Sequence, residues 1–464
     1  MVAYQFMKRE SVFNAARDKS LPVYAVTQSD LESDRLDPRH RDWARAVGFR
    51  AESGSLLLLP GSGGQLSGAL FGLGKTPPDT PYATGKLART LPAGMWHVQT
   101  ASLAPDQVAL GFGLGSYRFE AYRKADAPAA RLVMPDECDG ADVKRVMAGF
   151  FLARDLINMP ANDMGPDQLE AAFRALAGHY HGDVSVIRGD ELLSENYPLI
   201  HCVGRASADA PRLMTMRWGK TGARKVTLVG KGVCFDTGGL DIKPSASMAL
   251  MKKDMGGAAN VMGLALMIMD AKLDIDLTVI IPVVENSIAG NAFRPGDIYR
   301  SRAGLTVQID NTDAEGRLIL ADALAKADED EPSLLIDMAT LTGAARVALG
   351  PEVPPFFTDS ATLATAIEAA SLATADPVWR LPLHKGYEKD LNAKIADLTN
   401  APSGGMAGAI TAALFLKRFV RKTSEWVHFD IYGWAPAERP HSPVGGEAQA
   451  IHALYRMIGD MKAD

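Results

Sequence analysis

The chain has 464 residues, 47% hydrophobic and 22% charged, which excludes a disordered or fibrous protein and leaves room for roughly two to three folded domains. Its 49 lysine and arginine residues against 55 aspartate and glutamate residues give a net charge of -6, so we expect neither a nucleic-acid nor a membrane partner. The three distant cysteines, Cys138, Cys202 and Cys234, favour free thiols over a disulfide framework. Because residues 1–20 lack a continuous apolar stretch and no apolar run approaches about 18 residues, we predict a cytoplasmic protein without a secretion signal or membrane span.

Residues 1–135 are predicted to form the smaller, N-terminal α/β domain, in which Gly-rich turns separate short apolar runs. These runs occupy 55–60, 69–73 and 108–114. The GFGLGS segment at 111–116 has the spacing GxGxG, which differs from a dinucleotide fingerprint, and we interpret it as a strand and a turn. The Ala-, Pro- and Asp-rich segment 124–142 predicts a linker, and the helical pattern at 143–156 follows at the start of the larger domain, 145–464.

From Lys225 onward, β-branched apolar runs alternate with helical stretches. The runs cover 226–230, 277–284, 305–309, 334–338 and 427–431. This alternation predicts an α/β domain with a central, largely parallel sheet flanked by helices. The stretch 255–272 is apolar on nearly all sides, which indicates a buried helix.

Three glycine-containing segments concentrate acidic and basic residues where predicted strands end or helices begin, as functional sites of α/β proteins do. They are LVGKGVCFDTGGLDIKPS at 228–245 with Lys231, Asp236 and Lys243, KKDMGGAAN at 252–260 with Asp254, and IDNTDAEGRLILADAL at 309–324 with Asp313, Glu315 and Arg317. Taken singly, each acid is explained as a helix cap or turn residue. Taken together, buried acids beside a Leu- and Ile-rich run need cations, and paired divalent ions about 3.5–4 Å apart are a common solution. Oxygen-rich ligands suit Mn²⁺ or Zn²⁺.

The segment NTDAEGRL at 311–318 resembles the signature of the leucine aminopeptidase family, also called the cytosol aminopeptidases. The stretches VGKG, FDTGG and IKPS, followed by KDMGGAA, resemble the same family in order and spacing. The resemblance runs from about residue 145 to the C-terminus and includes LARDLINMPANDMGP at 152–166 and ATLTGA at 339–344. It implies a metallo-aminopeptidase that hydrolyses the N-terminal peptide bond of short peptides with a water activated by two metal ions, and that prefers Leu/Met-like or other hydrophobic N-terminal residues.

The resemblance also implies a role for each charged residue of the three segments. Asp236 and Glu315 would bridge the two ions, Asp313 would complete one metal site, and Lys231 and Asp254 would complete the other. A lysine can act as a ligand because a neighbouring dication lowers its pKa until the neutral amine donates its lone pair.

Two further basic residues are implied to be catalytic. Lys243 would place a positive charge where the substrate carbonyl oxygen becomes negative, and Arg317 would hold a bicarbonate that acts as general base. The residues alone leave alternatives open. Lys243 could pair with Asp241, and Arg317 could only balance the charge of the acid cluster.

The resemblance places the substrate-binding residues at Met251, Asp254, Thr340, Leu341, Gly343 and Tyr432, with the substrate's α-amine bound near Asp254. Tyr432 stands where the family usually has the alanine of a DIAG segment, and Ala435 lies at a second pocket position. Tyr432 could be displaced, pack as core, or fill the pocket for the N-terminal side chain. The scattered histidines, including His428, are interpreted as structural.

Two other functions compete with this prediction. Some relatives bind DNA, so the chain could be a peptide-binding or DNA-binding regulatory protein of the same fold, although its acidic balance argues against nucleic acid. It could also be a dipeptidase that processes Cys-Gly, since the metal chemistry is shared. For the assembly, the resemblance implies a homohexamer.

Overall fold

The computed structural model describes residues 11–14, 18–33, 36–75, 80–124 and 130–461, which form two compact units. The smaller unit contains residues 11–151 and Pro436–Val444, and the larger contains Leu152–Ala435 and the residues from 445 onward. None of the helices in these ranges combines the length and the apolar character needed to cross a bilayer.

The smaller unit is built on a six-stranded sheet with the strand order β1-β6-β5-β2-β4-β3, parallel except where β3 meets β4. The strands are β1 (Phe13–Asn14), β2 (Leu21–Val26), β3 (Leu56–Pro60), β4 (Leu66–Gly72), β5 (Gly94–Gln99) and β6 (Ala130–Val133). The helices are α1 (Pro38–Ala46), α2 (Leu87–Thr90), α3 (Pro105–Gly115) and α4 (Gly140–Asn158), and the boundary between the units falls inside α4. The core of this sheet includes Phe71, Trp96 and Phe112, all fully buried.

Two interpretations of this part of the sequence were wrong. The run 108–114 and the GFGLGS segment lie in helix α3, not in a strand and turn. The helix uses its glycines for close packing, because a Cβ at Gly111 would clash with Thr84 Oγ1 and a Cβ at Gly115 with the backbone of Gly85. The segment 124–142 is also more than a linker, because strand β6 lies within it. Residues 125–129 of that segment lie outside the described residues.

The larger unit contains a nine-stranded sheet. Eight of the strands follow the order β16-β15-β18-β14-β9-β11-β8-β7, and the ninth strand, β10, pairs with β11. Its strands are β7 (Asp183–Arg188), β8 (Arg212–Gly219), β9 (Arg224–Gly230), β10 (Gly232–Asp236), β11 (Ile275–Asn286), β14 (Leu334–Ala339), β15 (Pro355–Phe357), β16 (Trp379–Arg380) and β18 (Trp426–Asp430). The central strands β18, β14, β9 and β11 are parallel, whereas at one edge β8 runs antiparallel to both of its neighbours, β11 and β7. The predicted α/β fold with a largely parallel sheet is therefore confirmed.

Four of the five apolar runs predicted as strands lie in this sheet, as β9, β11, β14 and β18. The fifth, 305–309, instead forms part of a separate three-stranded sheet made of β12 (Ile298–Arg300), β13 (Thr306–Gln308) and β17 (Leu398–Thr399). An apolar run shows that a strand is buried but does not show which sheet buries it. The short strands β19 (Trp434–Ala435) and β20 (Gly445–Gly446) pair with each other.

Ten helices of the chain begin in the larger unit, counted within the described residues. They are α5 (Pro166–His179), α6 (Glu191–Ser194), α7 (Pro198–Gly204), α8 (Ser245–Met248), α9 (Gly256–Asp270), α10 (Gly316–Glu329), α11 (Gly343–Leu349), α12 (Ala361–Thr374), α13 (Gly408–Lys417) and α14 (Ile451–Asp460). Helix α9 is buried over Gly256–Met269, as its apolar sequence predicts. Its first turn lies against the sheet, because a Cβ at Gly257 would clash with the carbonyl oxygen of Met338 in β14.

Candidate metal centre

The acidic and basic residues of the three segments meet where neighbouring parallel strands of the larger sheet end. Lys231 follows β9, Thr340 follows β14 and Asp236 is the last residue of β10. Asp254 lies in the 3₁₀ turn Met251–Met255, which leads directly into helix α9. Asp313 and Glu315 belong to the loop between β13 and helix α10. Carboxyl ends of parallel strands share one edge of a sheet, so distant segments converge there.

Lys231 lies at the centre of the acidic cluster and is 2% exposed. Its Nζ donates hydrogen bonds to Asp254 Oδ2 at 2.7 Å and to the carbonyl oxygen of Thr340 at 3.1 Å, and it lies 2.9 Å from Glu315 Oε1. Burial by itself would lower the pKa of Lys231, but the carboxylates of Asp254 and Glu315 raise it above its ordinary value. A surface position for this lysine is excluded, while its role as a metal ligand stays a prediction.

Lys243 forms the second cationic contact of the cluster. Its Nζ lies 2.8 Å from Asp236 Oδ2 and also pairs with Asp313, and these carboxylates outweigh burial and raise the pKa of the lysine. The alternative ion pair with Asp241 is not formed. Asp241 Oδ2 instead accepts hydrogen bonds from the backbone N–H of Thr312 at 2.8 Å and from its hydroxyl at 3.2 Å.

The carboxylates carry more negative charge than the two lysines offset. Burial, followed by the charge of Asp236, raises the pKa of Glu315 to about 8 and that of Asp313 to about 6. Asp313 Oδ1 and Glu315 Oε1 are buried and accept no hydrogen bond of normal geometry, although a lysine ammonium lies within ion-pair distance of each. Asp236, Asp313 and Glu315 can each offer an oxygen that lies within 4.8 Å of the others. These oxygens therefore fit divalent cations, which would satisfy both their charge and their free lone pairs.

Arg317 lies in the first turn of helix α10, two residues after Glu315. Its Nη1 donates a hydrogen bond to the carbonyl oxygen of Asn400 at 2.7 Å, whereas its Nε is buried without a hydrogen-bond partner. Burial lowers the pKa of Arg317 to about 10. Among the described residues no carboxylate lies within 4.0 Å of the guanidinium, so Arg317 keeps a free N–H that a small anion could accept from.

Asn400 is a residue of the site that the sequence did not indicate. It is completely buried, and its Oδ1 accepts a hydrogen bond from the backbone N–H of Asp310 at 2.8 Å. Its Nδ2 donates to the carbonyl oxygen of Asn311 at 2.7 Å. The backbone carbonyl of Asn400 accepts the hydrogen bond from Arg317, just after the loop that carries Asp313 and Glu315. Asn400 therefore contacts this loop at its start and just beyond its end.

Replacing Asn400 with Ala is expected to lower Mn²⁺ affinity about 10- to 100-fold, the usual effect of losing a residue that orients metal ligands. The reason is that the loop's backbone groups lose their buried partner while every carboxylate remains. Isothermal titration of the metal-free protein with Mn²⁺ measures the affinity, and Asn392→Ala, at an exposed asparagine, is the control. Unchanged Mn²⁺ affinity in Asn400→Ala would contradict the role.

The substrate-binding residues predicted from the resemblance lie around the same edge of the sheet. Thr340 Oγ1 donates to Asp254 Oδ1 at 2.8 Å, and the backbone N–H of Leu341 donates to Asp430 Oδ1 at 3.0 Å. Met251 begins the turn that carries Asp254. Gly343 begins helix α11 and is exposed. Their contact with a substrate stays a prediction.

Tyr432 is half-buried, and two basic side chains lie close to its ring. Lys253 Nζ is 4.9 Å from the ring centroid, and Arg346 Cζ is 4.6 Å from it. The backbone N–H of Tyr432 donates to Gln449 Oε1 at 2.9 Å. The sequence drew attention to Tyr432 but not to Lys253, whose position beside the ring depends on the fold. Ala435 is buried in β19.

His428 is fully buried in β18 and lies outside the cluster of acids. Its Nδ1 is 2.5 Å from Asp337 Oδ1, and its ring stacks on Phe357 with 5.8 Å between centroids. Asp337 also accepts a hydrogen bond from Trp426 Nε1 at 2.8 Å. These contacts agree with the structural role that the sequence predicts for this histidine.

Comparisons with known proteins give matches over both parts of the chain. The profile of the "Cytosol aminopeptidase family, catalytic domain" matches residues 151–455, and that of the "M17 aminopeptidase, N-terminal domain" matches residues 21–135. The probable cytosol aminopeptidase of Geobacter sp. (strain M21) is 40% identical over 372 residues, which cover 76% of this chain and 75% of the relative. The cytosol aminopeptidase of Encephalitozoon cuniculi (strain GB-M1) is 39% identical over 340 residues, which cover 72% and 70%.

Solved structures match the fold over nearly its whole length. The crystal structure of the cytosol aminopeptidase from Coxiella burnetii has 43% sequence identity and a TM-score of 0.92, and the match covers 96% of this chain and 98% of that one. The bottromycin maturation enzyme BotP in complex with Mn has 31% identity and a TM-score of 0.86, with 95% and 99% covered.

The fold, the cluster of charged residues and the matches to known proteins together define a metallo-aminopeptidase, which is a hydrolase and a protease. The chain belongs to the cytosol aminopeptidase family, M17, whose members depend on a pair of metal ions. The resemblance predicted from NTDAEGRL and its companion segments is thereby confirmed, as is the α/β architecture with a smaller N-terminal and a larger catalytic domain.

Proposed function

We propose that the enzyme removes the N-terminal residue of short peptides by using two divalent ions, Mn²⁺ or Zn²⁺. The ligands would be Lys231, Asp236, Asp254, Asp313 and Glu315. The observation that carries the proposal is the set of three carboxylates with oxygens within 4.8 Å of one another, next to the buried Lys231 and the partly buried Lys243. A buried acid cluster of this kind is stable only with compensating cations.

The ions, when bound, lower the pKa of a water molecule to make it a nucleophile and polarise the scissile carbonyl. Lys243 stabilises the negative charge that develops on the carbonyl oxygen, because its ammonium group is positively charged. This group lies beside Asp236 and Asp313, two of the proposed metal ligands. The substrate's α-amine would bind close to Asp254, which would restrict cleavage to the first peptide bond. Arg317 would hold a bicarbonate through its unpartnered Nε–H, and the anion would supply a general base beside the site.

The proposal predicts cleavage that depends on both a metal ion and a free N-terminus. Protein stripped with a chelator and reloaded with Mn²⁺ or Zn²⁺ is expected to hydrolyse leucine amide but not N-acetyl-leucine amide, because acetylation removes the free α-amine that would bind close to Asp254. Release of ammonia measures both reactions, and the stripped protein is the control. Equal cleavage of the two amides would contradict an exopeptidase, and cleavage of neither would contradict the proposed function.

The remaining features inferred from the resemblance belong to the same proposal. They are a preference for Leu/Met-like or other hydrophobic N-terminal residues, a homohexameric assembly, a cytoplasmic location, and domain limits at 1–135 and 145–464. The names of the relatives as cytosol aminopeptidases support the location. The separate matches at 21–135 and 151–455 support the division.

A further inference from the structure

Lys253 is a buried cation that forms no ion pair with any acid among the described residues. It directly precedes Asp254, and its residue is 3% exposed. Within the part of the chain that the structure describes, its ammonium forms no hydrogen bond or ion pair, and its close contact is the Tyr432 ring at 4.9 Å. A cation–π contact offsets only part of the cost of removing an ammonium group from water. A negatively charged partner would therefore stabilise the buried ammonium group of Lys253.

Arg346 is a second cation at the same ring. It projects from helix α11, is exposed, and has its Cζ 4.6 Å from the Tyr432 centroid. Over the described ranges, no carboxylate pairs with Arg346 either. Two positively charged groups thus meet at one aromatic ring without a protein anion in contact with either of them.

The nearby carboxylates are already occupied by other groups. Asp430 accepts hydrogen bonds from the backbone N–H groups of Leu341 and Thr342 at 3.0 and 3.1 Å, and from the Thr342 hydroxyl at 2.5 Å. Asp254 binds Lys231 through Oδ2 at 2.7 Å and Thr340 through Oδ1 at 2.8 Å. Each acid is thus hydrogen-bonded to other groups, and neither of them forms an ion pair with Lys253.

Lys253 lies next to the place where the proposed mechanism binds the substrate's α-amine, and Arg346 reaches the same neighbourhood through the Tyr432 ring. Lys253 is the chain neighbour of Asp254. Tyr432 precedes Gly433, where a Cβ would lie 3.3 Å from Thr340 Cγ2, and Thr340 is hydrogen-bonded to Asp254. A surface depression on the Arg346 side of the ring is lined by Arg346, Tyr432 and Gln449, among others. The first side chain of a bound peptide projects from the carbon that carries the α-amine, so it reaches this neighbourhood.

We propose that Lys253, beside Tyr432 and supported by the positive charge of Arg346 at the same ring, forms a subsite for the carboxylate of an N-terminal Asp or Glu residue. The enzyme then accepts acidic N-terminal side chains in addition to the apolar ones that the sequence predicts. The substrate carboxylate would pair with the ammonium group of Lys253 through a charge-assisted hydrogen bond, and Arg346 would add positive charge nearby. This inference rests on the proposed aminopeptidase function.

The test compares two substrates of nearly equal shape that differ in charge. For the Mn²⁺-loaded enzyme, kcat/KM for the p-nitroanilide of α-linked Glu is expected to exceed that for Gln by about tenfold or more, because only Glu satisfies the buried cation. In Lys253→Met the Glu/Gln ratio is expected to fall at least tenfold, and in Arg346→Met it should fall less because that side chain is exposed. Lys252→Met, which removes the same charge one position away, is the matched control and should keep the ratio.

The outcomes separate this inference from the function on which it rests. If the native enzyme cleaves the Leu and Gln anilides but prefers Gln to Glu, the acidic subsite is overturned and the aminopeptidase function stands. The same conclusion follows if Lys253→Met and Lys252→Met change the Glu/Gln ratio equally. If the metal-loaded enzyme cleaves none of the three anilides, the proposed function fails and the subsite with it. The native Glu/Gln comparison needs no variant, so the test holds even if a variant does not fold.

Discussion

Replacing Glu315 with Gln is expected to reduce hydrolysis by more than about 100-fold, which is the upper range for loss of a residue that only supports metal ligands. Glu315 is 1% exposed and lies 2.9 Å from Lys231 Nζ, within the group of oxygens that could bind an ion. Gln keeps the volume and one oxygen but removes the charge that would attract a divalent cation. The loss should therefore appear in both bound metal and catalysis.

Metal content after dialysis against Mn²⁺ and kcat for leucine amide measure the two effects separately. The matched control is Glu329→Gln at the other end of helix α10, where the exposed carboxylate pairs with Arg302 instead. A thermal unfolding curve close to that of the native protein would show that Glu315→Gln is folded, as the retained volume suggests. Full Mn²⁺ occupancy together with native kcat would remove Glu315 from the proposed site.

The sequence predicts the convergence of the charged residues well, because each of them follows a strand or precedes a helix of an α/β pattern. Lys231 after β9 and Glu315 before α10 are brought to one edge of the sheet by rules that do not depend on side-chain detail. The buried helix α9 is likewise predictable, since its apolar residues cover all sides.

Other features depend on contacts between distant parts of the chain, and the sequence could not indicate them. Helix α3 has glycines that usually mark turns, but Thr84 and Gly85 need them for close approach. Asn400 forms hydrogen bonds with a loop more than 80 positions earlier in the chain. The sequence around Asn400 shows only the end of a short strand, so it gives no sign of this contact. Lys253 lies within the KKDMGGAAN segment, but the residues around it do not reveal its contact with Tyr432, which is distant in the sequence.

Replacing Lys243 with Met is expected to lower kcat about 10²- to 10³-fold, as does removal of a group that stabilises a developing oxyanion. Its Nζ lies 2.8 Å from Asp236 Oδ2 and pairs with Asp313, so the variant removes a positive charge from two candidate metal ligands. Mn²⁺ should then bind at least as tightly as in the native protein, because less positive charge competes for the same carboxylates. KM should change much less than kcat if the contact forms mainly in the transition state.

Titration with Mn²⁺ and steady-state kinetics on leucine amide together distinguish catalysis from metal binding. Lys243→Arg retains the charge but not the shape, so it should recover part of kcat, which a purely structural role of the lysine chain would not predict. If Lys243→Met loses Mn²⁺ affinity in parallel with kcat, the lysine supports the carboxylates, and the oxyanion must be stabilised elsewhere. Glu315 and Lys243 thus differ in one measurable respect, because only the first variant should lose the metal.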